Sequence, residues 1–489
     1  MCDRVLILRV FRTASGTFHF TDTRRHAAKK GVLLMETQER KGFSGKIGYV
    51  LSAAGASVGL GNIWRFPYLA AKYGGGIFLL VYILLAVTFG YTMIVAETAI
   101  GRATGKSPVS AFGTYAKGPA AKFGGWINAI IPMLICPYYS VIGGWVCKYL
   151  FEYLRGNVQG IADDSYFGGF ISNGFESELW FIVFVALILI VIFMGVENGI
   201  ERVSRIMMPI LIVLAILISI YSITRPGALM GVKYFLVPDF SHFSWMTVIS
   251  AMGQMFYSLS IAMGILITFG SYMKKDVCIE ESTVQVEIFD TGIAMLAGLM
   301  IIPAVFSFSG GDPKALGAGP SLMFITMPKI FASMGFGRII GIMFFALVLF
   351  AALTSAIALT ESAVSTFEDE FRWNRTLCTA LIGVIMIILG SLSCLGYGPL
   401  ADVTIIGMQF LDFFDFLTNS MMMPIAALCI CLYVTRCMTI KRVVDEVLMD
   451  GHAFRRRGIF VFMIKYICPV FVVIILLSSI ANVLGLISM

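Results

Sequence analysis

Eleven stretches of this chain run for close to twenty residues or more without an Asp, Glu, Lys or Arg. They occupy 47–64, 77–96, 123–147, 179–195, 206–224, 243–273, 291–311, 339–360, 376–401, 416–435 and 466–489. A helix needs about 20 apolar residues to cross about 30 Å of hydrocarbon. Eleven such runs therefore constrain the fold to a bundle of membrane helices. Alternating β patterns are absent, which argues against a barrel. Only 13% of the 489 residues are charged and 58% are hydrophobic. A soluble domain carries about a quarter charged residues. The same apolar excess excludes a disordered chain.

Loop charges set the expected orientation. The 101–122 connection carries Arg102, Lys106, Lys117 and Lys122 and no acid, so it reads as cytoplasmic. The 152–178 connection carries Glu152, Asp163, Asp164, Glu176 and Glu178 against Arg155, so it reads as external. Residues 436–465, with Arg436, Lys441, Arg442, Arg455, Arg456, Arg457 and Lys465, read as cytoplasmic. A cytoplasmic N-terminus and an external C-terminus follow for an odd count. The net charge of +7 is mostly a surplus of six over residues 1–46. It is a membrane flank and not a nucleic-acid surface. Residues 1–34 lack the apolar core of a signal peptide, and read as disordered or as an upstream mis-start before Met35.

The ten cysteines fall mostly inside the spans and no pair has zinc-ligand spacing. They read as small buried apolar residues. His19, His26, His242 and His452 lie outside the spans or at their edges. That argues against a membrane haem or a histidine metal site.

Two spans carry signals for broken helices. The first reads Ala53-Ala54-Gly55-Ala56-Ser57-Val58-Gly59-Leu60-Gly61-Asn62 and ends Arg65-Phe66-Pro67. The sixth reads Gly253-Gln254-Met255-Phe256-Tyr257-Ser258-Leu259-Ser260-Ile261-Ala262-Met263-Gly264. Lying five spans apart, they fit inverted repeats whose first helices are discontinuous. Tight packing through small residues is the competing reading. The buried polar groups of Asn62, Ser57, Ser258 and Ser260 weigh against it, because they need partners.

The segment Gly59-Leu60-Gly61-Asn62-Ile63-Trp64-Arg65-Phe66-Pro67, with Gly74-Gly75-Gly76 and Tyr82, closely resembles the first-span signature of the neurotransmitter:sodium symporter family. So do Gly253–Ser260 in span six, and Ala351-Ala352-Leu353-Thr354-Ser355-Ala356 with Phe367-Glu368-Asp369-Glu370 in span eight. The resemblance covers about 40–489, and eleven spans resemble a bacterial branch. It implies an all-α integral membrane protein of LeuT type. Residues 40–225 and 226–437 would be the two inverted five-helix repeats. Residues 438–489 would hold a cytoplasmic loop and an eleventh helix, and 1–39 a disordered cytoplasmic segment.

The resemblance also implies two sodium ions. The first site would use the Ser57 carbonyl, Asn62, Ser258 and, in span seven, Asp290, where relatives carry Asn. The second would use the carbonyls of Gly55, Val58 and Ala351 with the hydroxyls of Thr354 and Ser355. Oxygen-only ligands suit a hard cation. A helix back-bond to the i−4 carbonyl is the alternative role for Thr354 and Ser355, and a helix-end charge for Asp290. Animal relatives bind chloride near residues matching Tyr82, Gln254 and Ser258. The position of their chloride-ligating serine is Ala294 here. A fixed Asp290 carboxylate then implies chloride-independent transport.

Gly59 stands where monoamine carriers place an amine-binding aspartate, so the substrate should bring its own carboxylate. By resemblance that carboxylate meets the N–H groups of Leu60 and Gly61 and the Tyr139 hydroxyl. The amine meets carbonyls near Ser57 and the span-six break, plus Ser260. Ile135, Tyr257, Met263, Ser355 and Leu359 would line the side-chain wall, which favours neutral hydrophobic or aromatic L-amino acids. Tyr139, beside Pro137, also reads as a packing aromatic.

Arg65 with Asp415 would form an external gate above Tyr139 and Tyr257. Arg40 with Asp369 would form an internal gate near Ser271, Tyr272 and Phe43, where relatives carry Trp. Gly199 and Pro209 match a family motif for local unwinding in span five. No Walker sequence is present, so uptake would run on the sodium gradient. The expected function is sodium-coupled amino-acid import across the cell membrane, with a monomer sufficient. A GABA, glycine or betaine carrier is the alternative within the family, and a channel or non-transporting sensor on the same scaffold is the alternative of another functional class. A membrane enzyme would need paired intramembrane acids or histidines. Only the isolated Glu97 and Asp290 are found, and Glu97 is open to a role in proton counter-transport.

Overall fold

The computed structural model describes residues 42–312, 316–317 and 319–483. The expectations placed on residues 1–39 and on Arg40 lie outside them. The described chain is helical throughout and has two isolated bridges but no strand.

Nine helices among the described residues are long and apolar enough to cross a membrane. They are spans 2 (Gly76–Thr104), 3 (Pro119–Arg155), 4 (Gly174–Phe193), 5 (Val196–Ile223), 7 (Ile279–Ser309), 8 (Gly337–Phe371), 9 (Arg375–Leu395), 10 (Phe410–Met438) and 11 (Arg457–Asn482). Span 1 is interrupted: Lys46–Ser57 is followed, after Val58 and Leu60, by Gly61–Arg65 and Phe66–Lys72. Span 6 is interrupted too, as Trp245–Ser258 and Ile265–Ser271. Nine unbroken and two broken helices account for the eleven charge-free runs.

Several runs under-measure their helices for one physical reason. Span 2 continues past Glu97 and Arg102, span 7 begins before Glu287 and Asp290, and span 8 continues past Glu361. Each of those charges is buried against a partner inside the protein. Arg102 donates to Glu446 Oε1 at 2.8 Å and to the Val277 carbonyl at 2.6 Å. Glu361 is held by Arg375 and by the Tyr272 hydroxyl. A charge with an internal partner does not end a membrane helix.

Layering follows from which faces are apolar and covered. The hydrophobic window of span 3 is 83% buried, whereas that of span 11 is 33% buried. Span 3 is thus central and span 11 peripheral. At 37 residues span 3 is about 55 Å long at 1.5 Å per residue, so it overshoots the hydrocarbon. Its Gly144 lies against span 4, where a Cβ would sit 2.6 Å from the Phe181 nitrogen. Small residues at such crossings let the backbones touch. Gly101 does the same for the second half of span 6, where a Cβ would meet the Ile267 carbonyl. That contact holds a seven-residue half-helix which could not persist alone. Side chains cap some of the helix starts: Ser244 and Thr247 form a capping box for span 6, and Asn374 accepts the Leu377 N–H at 2.8 Å before span 9.

Span 5 opens on a widened turn, Val196–Glu201, that contains Gly199, and carries Pro209 within its helix. Both residues loosen the ladder, Gly through its freedom and Pro through its missing donor.

Candidate functional site

The two breaks face each other at the centre of the bundle. In span 6, Ser260 and Ala262 take the left-handed conformation, with φ of 53° and 59°. That geometry is costly for residues with a Cβ, by about 1–3 kcal/mol each. It persists because neighbours hold it. The Ala262 N–H donates to Glu97 Oε1 at 2.7 Å, and the Ser260 hydroxyl donates to the Ala56 carbonyl at 2.9 Å. Glu97 is fully buried and fixes the open backbone of span 6 from span 2.

A small cavity lies between the breaks. Ser57, Gly59, Leu60, Gly61, Ile135 and Tyr139 line it together with Tyr257, Ser258, Ser260, Met263, Ser355 and Leu359. All twelve residues expected from the sequence are therefore brought to one cavity, and Ala56 and Asn62 complete its wall. No wall residue is charged. The Leu60 N–H points at the Tyr139 hydroxyl, 3.2 Å away. A Cβ on Gly59 would lie 2.8 Å from Ser355 Oγ and 3.0 Å from Tyr139 Oη.

Beside the cavity Asp290 is fully buried. Its carboxylate accepts from Asn62 Nδ2 at 2.8 Å, Ser258 Oγ at 2.9 Å and Tyr82 Oη at 3.0 Å. Asn62 Oδ1 in turn accepts the Gly59 N–H at 3.0 Å. Ser57 Oγ and Gln254 Oε1 are buried without a hydrogen-bond partner. This oxygen-rich cluster around one fixed negative charge fits a hard monovalent cation.

The second expected cation set also converges. Ser355 Oγ lies 3.2, 3.1 and 3.2 Å from the carbonyls of Gly55, Ala56 and Val58. The Ala56 carbonyl is also met by the Ser260 hydroxyl, but one Ser355 proton cannot satisfy both the Gly55 and the Val58 carbonyls where span 1 ends its first half. Lone pairs remain for a cation there. Thr354 Oγ1 back-bonds to Phe350 at 2.9 Å and to Ala351 at 3.2 Å, so it takes the helix back-bond weighed in the sequence. Its side chain still abuts Gly55, as does Met208 of span 5. Ser355→Ala should therefore weaken sodium-dependent substrate binding roughly tenfold, about 1–1.5 kcal/mol for one cation ligand. Binding titrated with sodium checks it; an unchanged sodium dependence would remove Ser355 from the site.

Above the cavity lies a larger vestibule. Tyr139 and Tyr257 line both spaces and so form the partition between them. Arg65 and Asp415 line the vestibule but no ion pair joins them in this conformation. Arg65 instead lies over the Tyr257 ring, 5.4 Å from its centroid. Asp415 accepts from Tyr138 at 3.2 Å and Asn419 at 2.6 Å. The opposite side is packed shut. Phe43 meets Phe269, Tyr272 and Tyr49 edge-on. Asp369 accepts the Ser107 N–H at 2.6 Å. Glu361 and Arg375, which the sequence reading missed, meet Tyr272, which it placed near the internal gate, in a largely buried polar layer. Its signal was there: one acid inside a long apolar helix demands a partner.

The model of the Sodium:neurotransmitter symporter family matches residues 40–161 and 171–487. The chain is 34% identical to the uncharacterized sodium-dependent transporter YhdH of Bacillus subtilis, over 93% of this chain and all of that one. It is 31% identical to an uncharacterized sodium-dependent transporter of Haemophilus influenzae, over 90% of this chain and 98% of that one. A crystal structure of MhsT in complex with L-phenylalanine superposes with a TM-score of 0.81 at 36% identity, covering 90% of this chain and all of MhsT. Fold, site and relatives agree: this chain is a multi-pass, LeuT-type membrane transporter and not an enzyme, and it belongs to the sodium:neurotransmitter symporter family as a sodium-dependent symporter.

Proposed function

We propose that the chain imports neutral, hydrophobic or aromatic L-amino acids across the cell membrane with two sodium ions and without chloride. The observation that carries this is a cavity wall without a charged side chain. A ligand there must be close to net neutral, because a lone buried charge costs several kcal/mol. A zwitterion meets that condition. Its carboxylate is received by the Leu60 N–H and the Tyr139 hydroxyl, and its amine by the free carbonyls of span 1. Ile135, Met263, Leu359 and the two tyrosines then offer an apolar wall, and Met263 adapts to shape. MhsT, with L-phenylalanine bound, supports the same class.

Bound sodium supplies positive charge that draws the substrate carboxylate and joins the two broken spans. Asp290 supplies the matching negative charge from the protein itself. Two sodium ions falling through 100 mV provide about 4.6 kcal/mol, enough for roughly a thousandfold gradient of substrate. We place the 152–178 connection and the vestibule outside, by the loop charges. Tyr139 and Tyr257 then close over the substrate from outside. Release toward the cytoplasm runs through the Phe43 and Glu361 layers, and the loosened start of span 5 opens water to the second sodium site. Uptake of labelled amino acids into proteoliposomes tests the reading. Sodium-driven accumulation of a hydrophobic amino acid in chloride-free buffer is expected. Sodium-dependent binding without uptake would replace import with sensing.

A further inference from the structure

Three residues that the sequence scatters meet on the face carrying the basic connections. Cys278 is the N-cap of span 7, Asp450 ends the short turn Leu448–Asp450, and His452 follows it. The Cys278 sulfur, an Asp450 oxygen and a His452 ring nitrogen all lie within 4.8 Å of one another. Cys278 is buried and His452 is exposed, so the cluster is reachable from water on one side. Asp450 gives a second, separate signal. Its side chain is 0% exposed, yet Oδ2 has no hydrogen-bond partner. Its Oδ1 accepts the His452 N–H at 2.9 Å and lies 3.5 Å from Nδ1. The donor beside this carboxylate is the Cys278 thiol, which no nitrogen or hydroxyl replaces at Oδ2, and a buried carboxylate grouped with a thiol and an imidazole can accept a cation.

We propose that Cys278, Asp450 and His452 bind a zinc-class divalent transition ion. The donors are one sulfur, one nitrogen and one oxygen, a set that selects zinc and its neighbours over sodium, magnesium or calcium. Tetrahedral ligands at zinc distances stand about 3.5 Å apart, so no pair of the trio has to close by much more than about 1 Å on binding. The exposed fourth position is left to water. Bound there, the ion ties the start of span 7 to the connection between spans 10 and 11. That connection is already staked to the bundle, since Glu280 accepts the Arg455 and Arg456 N–H groups at 2.8 and 3.0 Å. The adjacent Glu281 carboxylate is engaged by Lys46 at 2.7 Å. The site is remote from the transport cavity and shares no residue with it.

Zinc chloride titrated against the purified full-length protein, in competition with a chromophoric chelator, tests the proposal. One saturable equivalent is expected, weakened roughly tenfold or more in Cys278→Ala, Asp450→Asn and His452→Asn. Cobalt in place of zinc should show a thiolate charge-transfer band that vanishes in Cys278→Ser. His452 is exposed, so His452→Asn tests ligation even where a core variant misfolds, provided sodium-dependent substrate binding is retained. Absence of a saturable equivalent in the parent, or equal affinity in His452→Asn, overturns the site.

Discussion

Asp290→Asn should lower sodium-dependent substrate binding in chloride-free buffer by on the order of a hundred- to several-thousandfold, about 3–5 kcal/mol for removing one member of a buried charge pair. The substitution keeps the volume of the side chain and removes its charge. Tyr82, Ser258 and Asn62 now all point at the carboxylate. After the change their donors face a neutral amide that can accept less, and a bound cation loses its counter-charge. A small anion is the natural replacement, so added chloride should recover much of the loss. Sodium titrations of substrate binding in gluconate and in chloride measure both effects. An Asp290→Asn protein that binds and transports equally well without chloride would end the assignment of Asp290 as the fixed counter-charge.

Gly59→Ala should abolish transport, with at least a hundredfold loss of substrate binding, while the protein still folds. A Cβ at this position falls 2.8 Å from Ser355 Oγ and 3.0 Å from Tyr139 Oη. Both atoms must move by several tenths of an ångström. Ser355 would leave the carbonyls of span 1, and Tyr139 would leave the Leu60 N–H. One methyl group thus disturbs the second cation set and the carboxylate receptor together. A misplacement of about 1 Å costs about a hundredfold where geometry is demanding, and here two receptors shift at once. The methyl points into the cavity and not into packed core, so thermal stability without ligand should change little. Binding measured beside a melting curve separates the two; near-normal uptake would show that Gly59 does not floor the site.

The cavity was legible in the sequence because its chemistry is local. Gly59, Gly61, Ser258 and Ser260 cluster in two short segments, and a break in a membrane helix needs small residues and spare oxygens. Helix ends were less legible. Absence of charge was the criterion, and Glu97, Asp290 and Glu361 carry charge deep inside helices. Their partners come from distant segments: Ala262 for Glu97, and Arg375 from the next span for Glu361. Arg65 and Asp415 do line one vestibule, but the ion pair expected between them is not formed. Whether Arg65 reaches Asp415 depends on the conformation, and here the Tyr257 ring holds the guanidinium. The Cys278, Asp450 and His452 trio was missed because its sulfur lies far along the chain from the other two ligands. Asp450 and His452, two residues apart, were the only local trace.

The bond between Glu97 and Ala262 also has a history in time. Its partners are 165 residues apart. A ribosome adding about 5–20 residues each second needs roughly ten to thirty seconds to make that interval. Through that delay the second span sits among nascent helices with a carboxylate whose backbone donor has not yet been synthesised. The first span is equally incomplete, because the Ala56 carbonyl receives the Ser260 hydroxyl only when the sixth span arrives. The transport site thus cannot assemble before the sixth and eighth spans are made, and the early spans depend on water, lipid headgroups or the insertion machinery until then.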